Sequence, residues 1–263
     1  MASDVNRLEL LPCQLKHIKT IITHIESKKN FHIYGLEGTG KSVLLDYIYD
    51  NWEKIDDSLI PIYCRSSRTL RQILLSISGF LLGHFKHLES IDKFKRIKKI
   101  KYSSDIKKLN IRTLRNIIFS YILQGDFCVI LDHLEYVTPK INGFLTTLYE
   151  KVLVISASRQ SWELTDYAFR GKLDYCLYLT PKLKIENLKR KDAFILMEHL
   201  YNNLNVKGSN RFQMFKEIFN ITAGNPKAIR EIFGMAHMPK YLKDNMLNLK
   251  LILIDCKMDK IHI

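Results

Sequence analysis

The chain has 263 residues, of which 46% are apolar and 11% aromatic, so it can bury a sizeable core and wholesale disorder is excluded. Its 41 basic residues outnumber its 27 acidic ones, and the formal net charge of +14 favours an anionic partner such as nucleic acid or an acidic membrane surface. No apolar run reaches the roughly 18 residues that a membrane-spanning helix needs, so we expect no membrane span.

The five cysteines lie far apart, without a C-x-x-C pair and without histidines at metal-ligand spacing. This pattern argues against a zinc site and against a disulfide scaffold. The first residues also lack the apolar stretch of a signal peptide. We therefore expect an intracellular protein, cytoplasmic or, in a eukaryote, nuclear.

Apolar periodicity predicts strands that alternate with helices. A first helix over 15–25 precedes a short strand at 31–34. Further strands are predicted at 59–64, 127–131, 152–156 and 176–179, and helices at 43–52, 70–85, 111–123, 141–148 and 161–169. Because parallel neighbours need crossover helices, this order predicts an α/β fold with a five-stranded parallel sheet sandwiched by helices.

After Pro181 nearly every segment has helical period. We place a domain boundary there, with a P-loop nucleotide-binding α/β domain at 1–182 and a small all-helical lid subdomain at 183–263. The apolar run 249–254 is ambiguous between a strand and a buried helix.

A glycine-rich loop, GLEGTGKS at 35–42, lies between the first strand and the next helix. The pattern G-x-x-x-x-G-K-[ST] in this setting predicts a nucleotide phosphate site, because glycines let backbone N–H groups approach the phosphates. The lysine can reach the β- and γ-phosphates, and the serine hydroxyl can bind Mg²⁺. The predicted phosphate-binding residues are Gly35, Gly38, Thr39, Gly40, Lys41 and Ser42.

The apolar strand 127–131 ends in Asp132, the arrangement called Walker B. A carboxylate at the carboxyl end of such a strand lies near the phosphate loop and holds Mg²⁺, directly or through water. We therefore predict Ser42 and Asp132 as metal-binding residues.

These features together resemble the AAA+ and STAND-type P-loop ATPases, over a span from about Leu11 to Phe233. The run LDHLEYV at 131–137 is similar to a degenerate Walker B run in some origin-recognition subunits, notably the fifth, so the pattern is closest to origin-recognition and archaeal initiator subunits. The resemblance implies an AAA+-type sheet with a helical lid, and ATP and Mg²⁺ as cofactors. A winged-helix domain, which such initiators use to read DNA, is not apparent in this sequence.

The resemblance also assigns roles after the fourth predicted strand. Either Ser156 or Ser158 would be the polar sensor, and Arg159 matches an arginine that contacts the terminal phosphate. Arg170 matches an arginine finger that acts on a neighbouring subunit's nucleotide, where it would stabilise developing charge. For both arginines the alternative is a solvated surface residue.

The segment TAGNPKAIR at 222–230 resembles two family elements. In one, Pro226 packs near the adenine; in the other, Lys227 takes the place of a phosphate-sensing arginine. Gly-Asn-Pro is in addition an ordinary helix-start signal, which would explain the segment without any nucleotide contact.

Hydrolysis is expected to be weak. Many hydrolytic relatives carry glutamate directly after the Walker B aspartate, whereas this chain has His133 there and a glutamate only at Glu135. We predict catalytic roles for Asp132, Glu135 and Arg170, and we expect slow ATP hydrolysis or none by this chain alone.

A basic segment, Lys93–Lys108, interleaves lysines and arginines with apolar residues three apart, as in a basic amphipathic helix. It could bind DNA or RNA, an anionic membrane surface or a partner's acidic groove, or it could be a solvated insertion.

These observations favour an ATP-binding AAA+ switch in a DNA-associated assembly, of the replication-initiator or transposition-regulator kind, with other AAA+ subunits as partners. The alternatives are a STAND-type signalling module that does not bind DNA and an interaction subunit with a structural nucleotide.

Overall fold

The computed structural model of the chain describes residues 12–86, 103–135, 137–159, 177, 180–204, 211–243 and 246–259. By internal contacts the chain divides into two compact units. The sheet unit comprises Ile18–Gly35 and Lys41–Lys184, and the helical unit comprises the residues up to His17 together with Leu36–Gly40 and Ile185–Ile263. The domain boundary that we placed near residue 182 stays a prediction.

Among the described residues, the sheet unit contains five strands: β1 (Phe31–Tyr34), β2 (Ile60–Cys64), β3 (Phe127–Leu131), β4 (Leu153–Ser158) and β5 (Lys182–Lys184). Every neighbouring pair is parallel, in the order β2-β3-β4-β1-β5. The predicted five-stranded α/β fold is thus confirmed. The central strands β3 and β4 are buried along their whole length, as their apolar sequences require.

Helices join these strands and bury their apolar faces in one core with β2, β3 and β4. Asn110 caps the helix that begins at Ile111, and Thr138 caps the helix that begins at Pro139, each by accepting a backbone N–H through its side chain. Among the described residues, no helix is both long and apolar enough to cross a membrane. The first seven helices among the described residues are α1 (Pro12–Glu26), α2 (Lys41–Asp50), α3 (Trp52–Ile55), α4 (Leu70–Lys86), α5 (Ser103–Lys108), α6 (Ile111–Tyr121) and α7 (Pro139–Lys151).

The helical unit has its own core, built around Met197, Phe215, Ile229 and Ile252. The ambiguous apolar run 249–254 is helical, and a short antiparallel ribbon precedes it. The elements are α8 (Arg190–Asn202), α9 (Arg211–Thr222), α10 (Pro226–Ala236), β6 (Leu242–Lys243), β7 (Met246–Leu247) and α11 (Leu249–Asp259).

The fifth strand does not lie where the sequence pattern placed it. We predicted it at 176–179, but Leu177 is helical and the strand is Lys182–Lys184. The reason is that β5 is an edge strand, exposed at both lysines, so it lacks the apolar signal of a buried strand. The helix predicted at 161–169 lies outside the described residues.

Candidate functional site

The base of the glycine-rich loop is anchored by burial. Gly35 follows β1 and Lys41 begins α2, and the Lys41 ammonium donates to the Gly35 carbonyl over 2.7 Å. Lys41 is only 9% exposed, because the apolar face of α2 is buried around it. The lysine that we assigned to the β- and γ-phosphates is thus held at the carboxyl end of β1, and Ser42 follows it, half-buried, in the same helix.

The tip of the loop depends on its glycines. The backbone φ angles of Gly38 (80°) and Gly40 (101°) are in the left-handed region, which residues with a Cβ atom rarely adopt. Between them, the Thr39 hydroxyl donates to the Leu36 carbonyl over 2.9 Å. This strand–loop–helix geometry is the one that a phosphate-binding loop needs.

Helix α10 touches this tip with its first turn. The Asn225 side chain donates to the Glu37 carbonyl over 2.8 Å, and the Lys227 backbone N–H donates to the Gly38 carbonyl over 3.2 Å. The Lys227 ammonium also pairs with the Glu37 carboxylate at 2.8 Å. Sequence reasoning assigned Lys227 and the buried Pro226 to the nucleotide but missed Asn225 and Glu37, although Asn before Pro at a helix start was a visible signal.

Asp132 lies at the carboxyl end of β3 and is 3% exposed. One of its carboxylate oxygens accepts the His133 backbone N–H at 2.7 Å, and the Tyr63 hydroxyl donates to the other at 3.5 Å. Burial, and secondarily the negative charge of Asp132, raises the pKa of Tyr63, so this phenol stays protonated. Carboxylate and hydroxyl oxygens are the ligands that Mg²⁺ prefers, so Asp132 and Ser42 fit the predicted metal.

The residues after Asp132 form a cluster of ionisable side chains. His133 has a positive φ of 56°, and its ring nitrogens lie 3.7 Å from Asp132 Oδ2 and 3.8 Å from Glu135 Oε1. Arg159 Nε lies 3.4 Å from Glu135 Oε1, so the proposed catalytic carboxylate and the proposed phosphate-contacting arginine contact each other. Among the described residues, no three His, Cys, Asp or Glu side chains form a group that could hold a metal ion.

A buried polar network, which the sequence analysis missed, links β1 to β4. The two ring nitrogens of His32 are hydrogen-bonded to the hydroxyls of Ser156, at 2.8 Å, and Ser158, at 3.0 Å. The Tyr149 hydroxyl bonds Ser156 at 2.8 Å. Burial lowers the pKa of His32 to about 3, with smaller contributions from Lys182 and Lys41, so the imidazole is neutral.

Both candidate sensor serines are therefore engaged with His32. The signal was present in the sequence, because a polar residue in an otherwise apolar strand needs a buried partner. Ser156 and Ser158 stand two residues apart, as one face of a strand requires.

Two other predicted features lie mostly outside the described residues. Arg170 lies outside the described residues, and so does the part of the basic segment before residue 103. Lys107 and Lys108 are described, exposed, at the end of α5. The backbone that follows them is held to α4, since Arg71 donates to the Leu109 carbonyl over 3.1 Å.

No protein-family model matches this chain. No curated protein matches its sequence either. Solved structures do resemble its fold. The ORC1 protein of Aeropyrum pernix, solved in complex with DNA, superposes with a TM-score of 0.66 at 13% identity, over 95% of this chain and 67% of that one.

Two further structures agree with this likeness. A Walker-type ATPase of Pyrococcus abyssi has a TM-score of 0.60 at 14% identity, over 98% of this chain and 77% of its own. The ORC2 protein of Aeropyrum pernix, in ADPNP and ADP complexes, has a TM-score of 0.57 at 13% identity, over 97% and 70% respectively. The resemblance to AAA+ ATPases of the origin-recognition type is thus confirmed at the level of the fold: this chain has the fold of these archaeal ATPases.

Proposed function

We propose that the chain is an ATP-binding switch that binds Mg²⁺–ATP at the loop Gly35–Ser42. The observation that carries this proposal is the loop itself, with Lys41 buried at its base and left-handed glycines at its tip. Backbone N–H groups and the N-terminus of α2 would face the phosphates, and Ser42 and Asp132 would hold the metal ion.

Nucleotide binding is tested by titrating a fluorescent ATP analogue with and without Mg²⁺. Lys41→Ala should weaken binding at least tenfold, because it removes charge-assisted hydrogen bonds to phosphate. Lys54→Ala, which changes an exposed lysine of α3, is the matched control and should bind as the wild type. If the wild type and both variants bind equally weakly, the loop is not a nucleotide site and the proposal is wrong.

Slow turnover is part of the proposal. Where many hydrolytic relatives carry a glutamate, this chain has His133, and Glu135 is in contact with Arg159. Glu135 would have to leave that ion pair before it could accept a proton from water. The expected result is tight ATP binding with little phosphate release. Rapid steady-state release of phosphate by the purified chain would contradict it.

A DNA-associated role is proposed from the net charge of +14, the basic segment and the likeness to a protein solved with DNA. Binding to a fluorescent DNA duplex should tighten with ATP, compared with ADP or no nucleotide, and should weaken steeply with added salt. Reversing the charges of Lys107 and Lys108 should weaken it, whereas reversing those of Lys189 and Lys191, an exposed pair in the helical unit, should not.

The alternatives give different results in the same assays. A STAND-type signalling module would keep ADP through purification and would ignore DNA even at low salt. An interaction subunit with a structural nucleotide would bind ATP without turnover, and Arg170→Ala would change nothing.

Assembly with other AAA+ subunits is the last element of the proposal, with Arg170 supplying an arginine finger. Light scattering should show particles of larger mass when ATP is added, either to the chain alone or to its mixture with a partner subunit. Arg170→Ala should reduce ATP turnover in the assembly and leave ATP binding by the isolated chain unchanged.

A further inference from the structure

The first turn of α10 holds two consecutive carbonyls of the loop tip. Asn225 Nδ2 lies 2.8 Å from the Glu37 carbonyl oxygen, and the Lys227 N–H donates to the next carbonyl, that of Gly38, over 3.2 Å. The other end of the same amide caps the helix, since Asn225 Oδ1 accepts the Ala228 N–H at 3.1 Å. The orientation of the Asn225 side chain is therefore fixed from both sides.

This contact determines the direction of a backbone donor. In a trans peptide the C=O and N–H groups point in opposite directions. The bond between Glu37 and Gly38 is trans, so a Glu37 carbonyl held toward Asn225 turns the Gly38 N–H away from it.

The close approach of the loop tip to the start of α10 depends on Gly38. A Cβ atom at Gly38 would lie 2.5 Å from Asn225 Oδ1 and 2.7 Å from Lys227 Cβ. The loop and the helix therefore fit together at this point only because residue 38 has no side chain.

We propose that Asn225 is a positioning residue for phosphate binding: it sets the Glu37–Gly38 peptide so that the Gly38 N–H faces the phosphate before nucleotide arrives. The inference rests on the proposed nucleotide site and adds a residue to which no role in it had been given. A preset N–H lowers the cost of ordering the loop on binding. Asn225 acts through the loop and need not touch the nucleotide.

The test separates the two ends of the Asn225 amide. Asn225→Asp keeps the oxygen that caps α10 but loses the N–H donor, and Asn225→Ser does the same without adding charge. Each should weaken binding of a fluorescent ATP analogue about tenfold, which is the value of one charge-assisted hydrogen bond. Asn110→Asp is the control, because Asn110 caps α6 in the same way through Thr113, and it should bind within about twofold of the wild type.

Hydrogen–deuterium exchange in the nucleotide-free protein gives a second readout. Amides in 35–42 should exchange faster in both Asn225 variants, while those in 226–236 keep their protection. Faster exchange throughout 226–236 would mean that the substitution acts by unravelling α10, and it would overturn the inference.

Two different outcomes separate the positioning role of Asn225 from the nucleotide site itself. If the wild type binds nucleotide, Lys41→Ala does not, and both Asn225 variants bind like the wild type, the nucleotide site stands and the positioning role is wrong. If the wild type binds no nucleotide, the nucleotide site is wrong, and the positioning role fails with it.

Discussion

The base and the tip of the glycine-rich loop are held by different kinds of contact. At the base, Lys41 is only 9% exposed and donates a hydrogen bond to the Gly35 carbonyl. At the tip, the side chains of the Glu37–Lys227 ion pair are 52% and 55% exposed. Buried hydrogen bonds resist competition from water and salt, whereas exposed ion pairs are screened and contribute little. The comparison indicates that buried contacts hold the base of the loop, whereas the ion pair at the tip adds little to the hydrogen bonds that position it.

Strand β1, which leads to the base of the loop, is also held by buried hydrogen bonds. His32 stands three residues before Gly35, fully buried and bonded to two serines of β4. A charged imidazole there would lose its hydration, and the two serine hydroxyls that it bonds carry no compensating charge. The base of the loop should therefore be rigid at pH values at which His32 is neutral, and it should lose stability in acid. The ion pair at the tip should instead weaken mainly with added salt.

Acid should produce the largest effect. Because burial lowers the pKa of His32 to about 3, the unfolded chain binds more protons than the folded one below the ordinary histidine pKa of 6.5. Stability from neutral His32 is complete above pH 6.5 and is lost as the pH falls toward 3, by roughly 1.4 kcal/mol per unit. His32→Gln should flatten this slope when the free energy of unfolding is measured by urea titration at several pH values.

The control for this experiment is His237→Gln, which changes an exposed histidine and should keep the wild-type slope. Partial burial also lowers the pKa values of His17 and His24, so the His32 variant keeps a smaller slope. An unchanged slope in His32→Gln would show that the network does not hold a neutral imidazole.

The next largest effect should come from a methyl group at the tip. Gly38→Ala places an L-residue at a φ of 80° and brings its Cβ within 2.5 Å of Asn225. We expect a cost of about 1–3 kcal/mol, through backbone strain and displacement of α10, together with weaker nucleotide binding. Thermal unfolding and an ATP-analogue titration measure the two effects. Gly143→Ala, in a helix where a Cβ meets nothing within 4 Å, should instead be neutral or stabilising.

What could be predicted from the sequence depends on how strong the local sequence signal is. The strand–loop–helix around Lys41 and the Walker B strand follow from local patterns, which is why the fold class was predictable. β5 was misplaced because Lys182 and Lys184 give an edge strand the composition of a loop. A continuous apolar run identifies a strand that is buried on both faces, and β5 is not such a strand.

The missed residues share one property: they act through partners distant in sequence. His32 meets Ser156 and Ser158, which lie 124 and 126 positions away, and Asn225 meets Glu37 across 188 positions. Single-sequence patterns extend over a helical turn or a strand, so they identify Asn225 as a helix cap and cannot show its bond to Glu37.

The smallest effect should come from the ion pair at the tip. Glu37→Gln removes the carboxylate that lies 2.8 Å from Lys227 Nζ. For side chains exposed this far, we expect ATP affinity to change less than about fivefold, and the change should shrink as salt is added. The control is Glu198→Gln, which breaks a similarly exposed pair with Arg211 in the helical unit and should leave affinity unchanged.

The direction in which ATP affinity changes in Glu37→Gln distinguishes two roles for Lys227. If the ion pair only supports the loop, breaking it should weaken ATP binding, and Lys227→Gln should add nothing in the double variant. If Lys227 binds phosphate, as the sequence pattern suggested, breaking the pair releases it and Glu37→Gln should tighten ATP binding. We expect weakening, because Lys227 also lies 3.9 Å from Glu231, whose carboxylate would still compete for it. A loss of a hundredfold or more that salt does not reduce would contradict this difference between base and tip, since it would mean that the exposed ion pair holds the tip as firmly as buried contacts hold the base.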